Sequence, residues 1–192
     1  NLKTDSTIYN WDINYTLNKN QRLLHPILLE NKRVAFNITN RAIVIVDSIG
    51  KVIREVGGDH FVPHHCLNVD FEGDLWSLGK ESNEGKEIYT HRFINERLKQ
   101  DEGYFKDEFI FCIDQTSGEV IYKKSLLEIL SENGLMTYLI KAQYNLGPFH
   151  SNDVQPVMIS GDYFMKGDIF ISIRNMSLIL LYRPSTEKVI KV

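Results

Sequence analysis

Short apolar stretches separated by polar turns recur along the chain and predict β-strands. Three segments each contain an apolar strand, a polar turn and a second strand: AIVIVDSIGKVI (42–53), FIFCIDQTSGEVIY (109–122) and LILLYRPSTEKVI (178–190). Their strands are rich in Val, Ile, Phe and Tyr, which favour β-structure, and their turns hold Gly, Asp, Ser or Pro. The pattern predicts an all-β fold built from antiparallel hairpins.

A histidine opens a second recurring pattern ahead of these hairpins. His25 begins HPILLENKRVAF, His65 begins HCLNVDFEGDLW and His150 begins HSNDVQPVMI. In the first two units an aromatic residue follows the histidine by eleven positions, at Phe36 and Trp76. Each of the three units therefore contains four predicted strands, a repeat that is typical of a β-propeller.

The predicted blades of four antiparallel strands lie near residues 22–56, 61–124 and 148–192, within one partial propeller domain over 1–192. In a circular array, the three histidines would surround one axis. Propellers close with about four to eight blades, whereas this sequence predicts three. We therefore expect the remaining blades to come from chain beyond Val192 or from an additional chain.

Two insertions interrupt the strand pattern. Residues 79–107 are highly charged and predict an exposed loop with some local structure. Residues 125–142 predict a helix, because Ser125 suits the N-cap and Glu128, three residues later, completes a capping box. An Asn-Gly pair at 133–134 predicts a stop or a kink in that helix.

Composition narrows the candidate chemistry. The net charge is −3 without a basic stripe, which argues against nucleic acid or an anionic membrane surface as the partner. The longest apolar runs are also far too short for membrane insertion. Asp70, Glu72 and Asp74 resemble a calcium loop, but most of the ligand pattern is missing, so we predict an ordinary hairpin and no metal. Cys66 and Cys112 are predicted to be free and mostly buried.

Several segments together resemble the arylsulfotransferase (aryl-sulfate sulfotransferase) family, over roughly residues 11–192. They are LLHPILLENKRVAF, HHCLNVDFEGDLW, GPFHSNDVQPV and GDIFISIRNMSLILLYRPSTEKVI, and the most specific pieces lie at 150–152 and 172–177. Characterised members are six-bladed propellers that move a sulfuryl group from an aryl sulfate to a phenol through a sulfated histidine, without a nucleotide donor. The chain looks most like a less characterised branch, so the resemblance implies the fold more directly than the activity.

The resemblance also implies a set of catalytic residues. His150 matches the active-site histidine of the family's His-x-Asn motif, and Arg174 matches the arginine of its Ser-x-Arg-x-x-Ser strand. Either His64 or His65 matches an earlier histidine at a blade entrance. Neighbours on a strand face opposite sides, so we expect only one of these two to face the channel. The family's sulfated histidine lies in a later blade and has no match before Val192.

Four further residues are candidates for substrate binding. Tyr144 and Phe149 lie on the loop that enters the histidine motif and can line an aryl pocket, although both also suit packing. Asn152 completes the motif or caps a turn. His25 repeats the blade-entrance position, or is structural because it precedes a proline.

The implied reaction suits these residue types. Arginine offers a charged planar fork for sulfonate oxygens, while a neutral imidazole attacks sulfur and a second one moves the phenolic proton. The expected partner is a small aromatic sulfate or phenol, with no cofactor and, by the family's example, an extracytoplasmic location. If Arg174 instead pairs with Asp153 or Asp168, the alternative gains support: a non-catalytic propeller that binds a ligand or serves as a structural or interaction module.

Overall fold

The computed structural model describes residue 13 and residues 15–57, 61–80, 107–142 and 148–192. Its strands form three four-stranded sheets in which every neighbouring pair is antiparallel. In each sheet the strands follow one another in chain order. This meander is the blade of a β-propeller, so the predicted all-β fold class is confirmed.

The strands of each blade are as follows. The first blade holds β1 (Leu23–Leu28), β2 (Val34–Ile38), β3 (Ala42–Val46) and β4 (Val52–Gly57). The second holds β5 (Val62–Val69), β6 (Leu75–Lys80), β7 (Phe109–Ile113) and β8 (Val120–Ser125). The third holds β9 (Ser151–Pro156), β10 (Ile169–Ile173), β11 (Leu178–Arg183) and β12 (Lys188–Lys191).

The first strands of the blades lie side by side, because β5 contacts both β1 and β9. Between the first and second blades lies one apolar cluster, which includes Ile43, Leu75 and Phe111. A second cluster joins the second blade, the third blade and the inserted helices. Apolar surface is therefore buried between sheets, which fixes the blades against each other and aligns their first strands.

The predicted helical insertion forms two short helices, α1 (Leu126–Glu132) and α2 (Met136–Lys141), rather than one. Ser125 caps α1 as predicted, since its Oγ accepts a hydrogen bond from the N–H of Glu128 at 3.1 Å. The break follows at Gly134, whose φ of 70° is left-handed. Most of the charged insertion, at 81–106, lies outside the described residues.

The hairpin between β5 and β6 is closed by Asp70. Its carboxylate accepts hydrogen bonds from the backbone N–H groups of Glu72 and Asp74, at 2.9 and 3.0 Å, and from Nε1 of Trp76 at 2.9 Å. The acidic cluster thus contributes to a hairpin, as the sequence predicted. Cys66 and Cys112 are both free and buried, which confirms that prediction. Among the described residues, no helix is long and apolar enough to cross a bilayer.

Candidate functional site

The repeated histidines share an unusual backbone conformation. His25, His65 and His150 have φ values of 51°, 60° and 46°, in the left-handed region. L-residues other than glycine seldom adopt it, at a cost of about 1–3 kcal/mol each. Each lies in or directly before the first strand of its blade, next to an irregularity in the pairing with the second strand. The sequence repeat is therefore also a repeat of backbone strain, which is typical of functional positions.

Three imidazole rings gather where the second blade meets the third. The ring centroids of His64 and His65 are 3.8 Å apart, and His150 lies 6.1 Å from the first and 5.3 Å from the second. The expectation that His64 and His65 face opposite sides is wrong. The left-handed His65 and the bulge that follows it break the alternation of the strand, so both rings lie together.

Arg174 lies against the same cluster. Its Nη1 is 3.3 Å from Nε2 of His150, and its backbone N–H donates to the carbonyl of that histidine at 3.3 Å. A guanidinium only donates, so Nε2 of His150 accepts in this contact. The two aspartates suggested as alternative partners are bound elsewhere. Asp168 accepts from Arg183 at 2.7 and 2.9 Å, and Asp153 accepts from a side-chain amide at 2.9 Å.

Comparison with known proteins identifies the family. A family model described as Arylsulfotransferase (ASST) matches residues 25–191, a span that contains the three histidine rings and the arginine. The chain belongs to the arylsulfotransferase family. Searches of curated proteins and of solved structures gave no significant match. Family membership agrees with the propeller blades and with the resemblance carried by the histidine motifs.

The electrostatics of this cluster favour uncharged imidazoles at His64 and His65. Burial, followed by the neighbouring charges of His65, Lys80 and His150, lowers the pKa of His64 to about 3. Burial and His150 also lower the pKa of His65, although the carboxylate of Glu108 acts in the opposite direction. A neutral imidazole keeps a lone pair, so these rings can act as nucleophile or base near neutral pH.

Two ring atoms in the cluster are buried without a hydrogen-bond partner among the described residues. They are Nδ1 of His64 and Nε2 of His65. Buried polar atoms nearly always have partners in folded proteins, and exceptions point to a ligand, water or catalytic role. The histidine cluster therefore presents unused ring nitrogens next to a guanidinium.

The four residues suggested for substrate binding have different environments. His25 and Asn152 are both exposed, in the first and third blades respectively. Phe149 is 0% exposed and belongs to the apolar cluster between the second and third blades. It therefore packs in the core, as one of the two interpretations predicted, and its part in an aryl pocket stays a prediction. Tyr144 lies outside the described residues.

Two residues beside the site, Lys80 and Glu108, were not predicted from the sequence. Lys80 ends β6, and its Nζ lies 3.7 Å from Oε1 of Glu108, which is only 3% exposed. The other carboxylate oxygen of Glu108 accepts a hydrogen bond from the N–H of Ser151 at 2.8 Å. In the sequence Lys80 lies within the highly charged insertion and Glu108 directly follows it, and nothing in that composition distinguishes a buried carboxylate from a solvated one.

Proposed function

We propose that this chain carries a site for sulfuryl transfer from an aryl sulfate to a phenolic acceptor. The observation that carries the proposal is the convergence of His150 and Arg174, 3.3 Å apart, beside the imidazoles of His64 and His65 in an arylsulfotransferase family member. A cation for sulfonate oxygens and neutral nitrogens for attack and proton transfer lie within one cluster.

In the proposed reaction, the guanidinium of Arg174 binds oxygens of the sulfonate group. A neutral imidazole nitrogen attacks sulfur, an N–S bond forms, and the S–O bond to the aryl group breaks, so that its electron pair leaves with the phenolate. The sulfated ring loses the N–H proton of its other nitrogen, and a second imidazole passes that proton to the leaving oxygen. In the return step a phenol oxygen attacks sulfur, the N–S bond breaks, and the phenolic proton passes to an imidazole.

The charge state of the cluster fits this chemistry. Attack needs an unprotonated ring nitrogen, and the lowered pKa values of His64 and His65 keep their rings neutral near pH 7. The negative charge that develops on the sulfonate and on the leaving oxygen faces Arg174, which is permanently protonated. Such fixed donors stabilise developing charge without reorganising during the reaction.

The test uses 4-nitrophenyl sulfate as donor and phenol as acceptor. Intact mass spectrometry should show the protein gaining one sulfuryl group from the donor and losing it when phenol is added, while nitrophenol is released. His150→Asn should abolish the release. Its matched control is His25→Asn, which changes an exposed histidine with the same backbone conformation. Binding of the donor without adduct or nitrophenol would instead support a non-catalytic ligand-binding propeller.

A further inference from the structure

Directly after His65, strand β5 carries a backbone carbonyl that accepts hydrogen bonds from two side chains, one of them in the preceding blade. The carbonyl of Cys66, which directly follows the left-handed histidine, accepts hydrogen bonds from Nδ2 of Asn37 at 3.3 Å and from Oγ of Ser77 at 2.8 Å. Asn37 belongs to β2 of the first blade and is 1% exposed. A buried polar side chain from the preceding blade therefore bonds the residue that follows His65.

The same arrangement occurs one blade later. The N–H of Ser151, which directly follows the left-handed His150, donates to Oε2 of Glu108 at 2.8 Å. Glu108 immediately precedes β7 of the second blade, and Lys80 partly balances its buried charge. Again a buried polar side chain of the preceding blade bonds the residue after the site histidine.

These bonds have a physical function beyond joining two sheets. A residue held at positive φ relaxes unless its surroundings determine its conformation. The bond from Glu108 fixes the peptide group that directly follows His150, and the bond from Asn37 fixes the peptide group between Cys66 and Leu67, one further along from His65. Both bonds limit that relaxation, because these groups move when the histidine backbone rotates. Burying a carboxylate or an amide also costs free energy unless the group is well hydrogen-bonded. A role in fixing the site explains why Glu108 and Asn37 are buried, whereas simple packing does not.

We propose that Asn37 and Glu108 are positioning residues that hold His65 and His150, respectively, in their left-handed conformations, so that both imidazoles and Arg174 converge. The expected effect on catalysis rests on the function proposed above, whereas the expected effect on the histidine backbone does not. Neither side chain needs to touch the substrate. Removing either bond should let its histidine relax and displace the ring, and displacements of about 1 Å can cost about 100-fold in rate.

The experiment compares Glu108→Leu, Glu108→Gln and Asn37→Leu with the unchanged protein. The ¹³Cα and ¹³Cβ chemical shifts of the site histidines report the left-handed backbone, and kcat and KM for 4-nitrophenyl sulfate report the chemistry. We expect Glu108→Leu to lose the left-handed signature at His150, and Asn37→Leu to lose it at His65. In both, kcat should fall about 100-fold while KM changes little. Glu108→Gln keeps an acceptor for the N–H of Ser151 and should keep the signature.

Matched controls separate positioning from general destabilisation. Asp168→Asn changes another buried carboxylate, 1% exposed, at the end of β10 away from Ser151. Asn133→Leu removes another amide that donates to backbone carbonyls, those of Ile129 and Glu187. Both controls should keep the histidine signatures.

The results can overturn the inference in two ways. The inference is wrong if Glu108→Leu and Asn37→Leu fold and still show the left-handed chemical shifts at His65 and His150. It is also wrong if the two control variants lose those chemical shifts to the same extent. If Glu108→Leu does not fold, Asn37→Leu still decides the question at His65. If the unchanged protein does not turn over 4-nitrophenyl sulfate, the proposed function is wrong. The chemical shifts of the histidines would then test the positioning role on their own.

Discussion

At the scale of single residues, the site depends on conformations that individual side chains would not choose. His65 and His150 have positive φ, and their rings lie with that of His64 in a partly buried cluster beside Arg174. Burial and mutual proximity favour neutral rings at His64 and His65, while the guanidinium supplies a fixed charge. Geometry and charge state therefore arise from the same close packing.

Arg174→Lys should weaken binding of 4-nitrophenyl sulfate by about tenfold or more, because an ammonium loses the planar fork that matches sulfonate oxygens. Isothermal titration measures the change in Kd. Arg183→Lys is the control, since this arginine binds Asp168 in the third blade and should leave the Kd unchanged. Equal affinity in Arg174→Lys and the unchanged protein would show that Arg174 does not bind the sulfonate.

The lowered pKa of His64 predicts that the free energy of unfolding decreases in acid. Its folded pKa of about 3 lies below the value of about 6.5 for an unfolded histidine, so the unfolded state takes up the proton first. The contribution of His64 to stability is therefore complete above about pH 6.5 and is lost as pH falls towards 3. Urea unfolding at several pH values measures this effect. The free energy of unfolding should fall less steeply with decreasing pH in His64→Gln than in the unchanged protein. His25→Gln changes an exposed position and should show the same pH dependence of unfolding free energy as the unchanged protein. The same pH dependence in all three proteins would contradict the prediction.

At the scale of strands and turns, aspartates close two hairpins of the second blade, between β5 and β6 and between β7 and β8. Asp70 and Asp114 each accept hydrogen bonds from backbone N–H groups in a turn. Asp70 also accepts from the indole of Trp76, a partly buried bond that ties the turn to β6. The turn and the strand that carries the site histidines are therefore linked.

Asp70→Ala should lower the free energy of unfolding by about 2 kcal/mol, because it leaves the indole N–H and two turn N–H groups without their acceptor. Chemical denaturation followed by tryptophan fluorescence measures the loss. Asp114→Ala removes an acceptor whose two backbone hydrogen bonds are exposed and which has no indole bond, so it should cost less. A larger effect for Asp114→Ala than for Asp70→Ala would contradict the account of this hairpin.

The strands could be predicted from sequence because alternation, turn residues and the Ser125 cap act over a few positions. The clustering of His64 with His65 could not, because strand alternation fails where a bulge and a left-handed residue occur. Glu108 was missed for a different reason: its bond to Ser151 joins residues 43 positions apart in different blades. Local patterns predict elements, whereas contacts between blades complete the site.

At the scale of the whole molecule, the blades depend on the apolar clusters between them. Phe111 lies on β7 of the second blade, is 1% exposed, and stacks on Phe61 with ring centroids 4.5 Å apart. Its cluster also includes Ile43 and Ile45 of the first blade. The two blades therefore share one core. If one blade unfolds, apolar surface of the other blade becomes exposed to water.

Phe111→Ala should therefore lower the free energy of unfolding by about 3–5 kcal/mol, since truncating a buried aromatic side chain leaves a cavity. Hydrogen exchange should show lost amide protection in both β3 and β7, although only β7 is changed, because the shared core stabilises both strands. Phe164→Ala is the control. This phenylalanine is half-buried against Phe170 in the third blade, so its truncation should cost less and leave β3 protected. Loss of protection confined to β7 in Phe111→Ala would mean that the two blades are stabilised independently.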